Sequence, residues 1–90
     1  MTEVELNEIA KSMIYPEEKI MLATGLEDAF IGIGRQSANS VFAVYSKNKC
    51  IDILKQTMSE EEAEEYFQFN VKNAYVGVAT PVFVDIIGSN

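Results

Sequence analysis

Along the first fifteen positions, apolar Val4, Leu6, Ile9, Ala10, Met13 and Ile14 recur mostly at helical spacing, with Glu5, Asn7, Glu8, Lys11 and Ser12 between them. This predicts a short amphipathic helix that ends near Tyr15, because Pro16 disfavours helical geometry at the residue before it. A brief apolar run from Ile20 to Ala23 is closed by Thr24-Gly25. From Ala29 to Arg35 and from Val41 to Ser46 the pattern becomes that of strands, and the polar stretch between them predicts a β-hairpin. Alternation along the first strand sets Ala29, Ile31 and Ile33 on one face and Phe30, Gly32 and Gly34 on the other. The glycines leave that second face thin enough for a backbone, a helix or a ligand to approach.

Ser46 reads as the cap of a helix over 47–57 whose buried stripe is Cys50, Ile51, Leu54 and Met58. Ser59-Glu60-Glu61-Glu62 is a capping-box pattern opening another helix, continued on the core side by Ala63, Tyr66, Phe67 and Val71. A last extended segment runs from Val76 to Ile87, interrupted by Thr80-Pro81, where the proline marks the start of a strand or an edge position. The expected fold is thus a single α+β domain over 1–90, in the order α-β-β-α-α-β. Its small three-stranded sheet is expected to be antiparallel, with helices on one face and the other face needing cover.

Ninety residues hold one core and leave a small one, so stability is expected to be modest or shared with a partner subunit. Fourteen acidic residues against seven basic ones give a charge of −7, which repels a phosphate backbone and argues against general nucleic-acid binding. The six lysines form no stripe, and Arg35 is the only arginine. No apolar run approaches the roughly 18 to 20 residues of a bilayer span. The acidic start, Thr2-Glu3-Val4-Glu5, is unlike a signal peptide, and the single Cys50 permits no internal disulfide, so a cytoplasmic address is expected.

The chain has no histidine, which removes the usual acid/base residue at neutral pH and every triad built on imidazole. With one cysteine as well, a zinc site within the chain is not expected, and no cofactor is implied. Glu27 and Asp28 are adjacent, and neighbours on a strand point to opposite faces rather than forming a carboxylate pair. The glutamates between 60 and 65 lack the loop of oxygen ligands that calcium needs and read as a solvated helix face. Cys50 reads as a small buried apolar residue; Tyr66, Phe67 and Phe69 resemble a stacking platform for bases, but two of them fall on the core face, which favours packing over stacking. The expectation is a binding protein and not an enzyme.

One stretch has binding chemistry. In Gly32-Ile33-Gly34-Arg35-Gln36-Ser37 the glycines could expose backbone N–H groups, and Arg35 could clamp an oxyanion in bidentate fashion. The spacing is neither that of a Walker loop nor that of a dinucleotide fingerprint. Gly32, Gly34, Arg35, Gln36 and Ser37, with Thr80, form the candidate ligand-binding set, against the plainer reading of glycines that let strands pack closely beside an exposed arginine.

Several stretches together resemble a family of small uncharacterised proteins from tailed bacteriophages. They are Gly25 to Arg35, Val44-Tyr45-Ser46 before Cys50 to Leu54, Met58 to Ala63 through Tyr66-Phe67 to Phe69-Asn70-Val71, and Ala74-Tyr75-Val76-Gly77 with Thr80 to Val84. The chain departs from the family pattern at Asn73 and Val78, where a glycine and an acidic or polar residue would be expected. The resemblance implies a phage accessory protein acting in the bacterial cytoplasm of its host, and no established activity. Such proteins often disable a host enzyme or defence system. Two routes follow: a homo-oligomer that sequesters a small anionic nucleotide-type signal, or an acidic inhibitor that binds a host protein directly.

Overall fold

The computed structural model describes residues 1–37, 40–74 and 79–87. Helix α1 spans Glu3–Met13 and opens with a capping box in which the Thr2 hydroxyl accepts from the Glu5 backbone N–H while the Glu5 carboxylate accepts from that of Thr2. It ends ahead of Pro16, as the proline requires. A single 3₁₀ turn, Glu27–Ala29, leads into β1, Phe30–Ser37, which pairs with β2, Ser40–Ser46. Helix α2, Lys47–Leu54, is capped by the Ser46 hydroxyl, and α3, Glu60–Tyr66, by the Ser59–Glu62 capping box. A π-helical turn, Phe67–Val71, extends α3, and β3 is Val82–Val84. The α+β class and the order α-β-β-α-α-β match the sequence reading.

Three features depart from it. The sheet is mixed, not antiparallel: its order is β1-β2-β3, with β1 and β2 antiparallel and β3 parallel to β2. Between β2 and β3 the chain runs through α2, α3 and the π turn, a connection long enough to carry it back to the starting end of β2, whereas an antiparallel neighbour needs only a tight turn. The third strand is also short, Pro81 standing buried just before it; the proposed start at Val76 lies outside the described residues.

The second departure is a register shift between Phe30 and Gly32. The inserted residue reverses the facing on one side of it. Phe30 therefore lies opposite Tyr45 and joins the core face with Ile33, while Ile31, placed in the buried row by simple alternation, is 43% exposed. Gly32 makes the shift possible, since its φ of 156° is one that other residues rarely adopt. The third departure is Tyr66, half-exposed rather than in the core, because Ala63, Phe67 and Val71 already fill the buried face of the helix and its extension at spacings of four.

One core joins the sheet, the segment ahead of it and the helical layer, while the buried Leu6 and Ala10 of α1 lie outside this cluster. Ala43 and Tyr45 of β2 pack with Ala23, Leu26 and Ala29 from the connecting segment and with Cys50, Ile51, Ala63, Phe67 and Val71 from the helical layer. Tyr45 is fully buried, meeting Phe30 edge-to-face at 5.7 Å and Phe83 in a tilted contact at 5.6 Å, and its hydroxyl accepts from the Ala23 N–H at 2.8 Å. That bond ties the segment before β1 to the central strand. On the opposite face, Phe42, Val44 and Val84 are partly covered and Val82 is exposed. The ring of Phe42 lies over Gly34, its Cζ 3.0 Å from where a Cβ would be.

Candidate functional site

The Phe42 ring closes off Gly34, and Gly32 is on the same sheet face, paired with Val44, while Arg35 pairs with Val41 on the other. Thr80 precedes β3, which is separated from β1 by the whole width of β2. Of the six candidate residues only Arg35 and Ser37 border one cleft, of about 490 Å³, shared with Tyr15, Lys19 and Glu18. Gln36 sits in a second register shift, between Arg35 and Ser37, and is exposed.

Arg35 is already engaged. Its Nε and Nη2 donate to the two carboxylate oxygens of Glu18 at 3.3 and 3.0 Å, and Nη2 also donates to the Met13 carbonyl at 3.2 Å. The guanidinium lies 5.5 Å from the centre of the Tyr15 ring, a cation–π contact. Glu18 accepts in addition from the Tyr15 N–H at 2.7 Å. The Arg35 bonds first, and that of Tyr15 second, hold the Glu18 carboxyl below its ordinary range, so the pair stays ionised at neutral pH. Arg35 thus clips the end of α1 and the turn after it to strand β1. The sequence could not show this, because Glu18 lies 17 positions away and nothing in its local pattern distinguishes it from Glu17.

On the other side of the same turn lies a groove of about 460 Å³, between α1 and the segment 14–22. Its walls are mostly apolar, from Ala10 of α1 and from Ile14, Tyr15, Pro16, Ile20 and Leu22. Lys11, Lys19, Asn7 and Glu18 also border it. The four ion pairs among the described residues engage the N-terminus, Arg35, Lys47 and Lys55, and leave Lys11 and Lys19 without an ionic partner. Sequence reasoning missed this groove, because its residues read separately as a helix and a loop. The available signal was a lysine on each side of the Pro16 break in a strongly acidic chain.

Among the described residues no three cysteine or carboxylate groups converge as a metal would require. Cys50 is fully buried, and desolvation pushes its thiol up to about 12. It is expected to resist iodoacetamide in the native protein at pH 8 and to react fully in denaturant; rapid native alkylation, read by mass spectrometry, would contradict its burial. No described helix is long and apolar enough to cross a membrane. Tyr66 and Phe69 are 43% and 69% exposed, beside the glutamates of α3. No protein-family model, curated protein or solved structure matches this chain.

Proposed function

We propose that the chain is a non-catalytic, homo-oligomeric binding protein whose ligand is a small anion. The observation that carries this is the groove beside α1, where two unpaired lysines border a mostly apolar hollow in a chain of net charge −7. Concave, largely apolar sites with a few placed polar groups are the usual form of small-molecule sites. Arg35 does not line this groove; it holds Glu18 and Tyr15, which do. A nucleotide-type signal, and a role in countering host defence from within the bacterial cytoplasm, rest on the phage resemblance alone.

Self-association belongs to the same reading. None of the residues registering on the open sheet face with Phe42, Val44 and Val82 is charged, so two acidic copies can meet there without opposing like charges. Thermal-shift measurement against inorganic anions, nucleotides and aromatic acids, with light scattering on the same sample, tests both parts. A rise in melting temperature with at least one anion and a mass of two chains or more are expected; no shift with any of them, or a monomeric mass, removes the corresponding part.

A second reading is favoured by Phe69 and Tyr66, which put exposed aromatic surface next to the α3 glutamates. Aromatic residues are enriched in protein interfaces, and the surrounding negative charge suits a basic protein partner.

A further inference from the structure

From the make-up of the groove we infer that its ligand is an amphipathic anion, an aromatic or aliphatic body carrying one acidic group, rather than a nucleotide. This rests on the anion-binding reading above and narrows it.

The body of the ligand is specified by what the walls lack. Ala10, Ile14, Pro16, Ile20 and Leu22 offer aliphatic surface, and Tyr15 offers a ring face already backed by the Arg35 guanidinium. Asn7 is the only neutral side-chain amide among the lining residues, and it already donates to the Glu3 carbonyl at 2.9 Å. A nucleobase edge and a ribose carry several polar groups, and apart from the charged residues only the Tyr15 hydroxyl and the remaining positions of the Asn7 amide are there to replace their lost water, so much of that cost stays. A hydrocarbon or arene loses nothing by entering.

The acidic group is specified by charge. Lys11 borders the groove from α1 and Lys19 from the facing segment, and both are exposed, so an anion held by them stays partly hydrated. Lys11 also suits the negative end of α1, which accounts for one of the two but not for Lys19. Glu18, the carboxylate bordering the groove, is neutralised from behind by Arg35 and so repels an incoming anion little. A polyphosphate would need more positive charge than two lysines supply and would meet Glu17 in the adjoining cleft.

The probe is anilinonaphthalene sulfonate, an arene with one sulfonate, followed by fluorescence titration of the full chain. Saturable binding is expected, about tenfold weaker in the Lys11→Gln/Lys19→Gln variant, since each exposed charge contact is worth a few-fold. Lys49→Gln, an exposed position of α2 outside the groove, should bind like the parent, and unchanged melting temperatures should show that all three proteins are folded. An aryl carboxylate should displace the dye, whereas inorganic phosphate and adenosine monophosphate should not. Displacement by the nucleotide as readily as by the carboxylate would overturn the amphipathic assignment and leave anion binding standing. Equal dye binding by the double lysine variant would overturn the assignment, and no binding of any anion would remove the anion reading with it.

Discussion

Replacing Tyr45 by alanine is expected to lower the melting temperature by tens of degrees or to prevent folding. The ring is fully buried between Phe30 and Phe83, and truncating a buried aromatic costs about 3–5 kcal/mol. A domain of this length has roughly 5–13 kcal/mol in total, and each kcal/mol lost moves the midpoint by about 4–8 °C. Tyr45→Phe separates the two parts of the effect. It keeps the ring but leaves the Ala23 N–H, in a fully buried residue, without the hydroxyl it donates to, at a cost of about 1–3 kcal/mol. Chemical denaturation of both variants checks this. A phenylalanine variant as stable as the parent would mean that the bond from Ala23 contributes nothing to fixing the segment ahead of β1.

Phe67 gives the second large effect. Phe67→Ala should cost about 3–5 kcal/mol, because the side chain is 2% exposed and meets the Phe83 ring edge-on at 5.1 Å, joining the helical layer to the short third strand. Phe69→Ala, two positions on and 69% exposed, should change stability by no more than about 0.5 kcal/mol. Paired thermal melts test the contrast. Similar losses from both would show that the turn 67–71 does not sort its aromatics between core and solvent.

Those two phenylalanines illustrate what local pattern conveys. Spacing of four along Ala63, Phe67 and Val71 marked the buried face, and it survives the change from α- to π-helical turn. Tyr66 was read as buried because it is aromatic and near that stripe, yet a residue at the margin is placed by how closely neighbouring elements approach, which lies outside any one segment. In β1, period-two alternation fails at the one position where an extra residue enters the ladder, and only the register with β2 reveals it.

The candidate site follows the same division. Arg35 stood out in sequence as the chain's only guanidinium, but its partners, Glu18, Tyr15 and the Met13 carbonyl, come from the end of α1 and the turn after it, 17 to 22 positions earlier. The groove with Lys11 and Lys19 lies between α1 and the segment after Pro16, next to the turn that this clip ties to β1.

By itself the sequence determined the class, the order of the elements, the serine caps of α2 and α3, the stop before Pro16 and the absence of imidazole chemistry. These depend on residue type and on neighbours within about four positions, where steric and hydrogen-bonding preferences are strong. The tertiary structure alone decided the parallel direction of β3, the side of the sheet to which Phe30 turns, the engagement of Arg35 and the exposure of two unpaired lysines along one apolar groove. Each of these is fixed by the distance between segments remote in the chain, and no local preference encodes that distance.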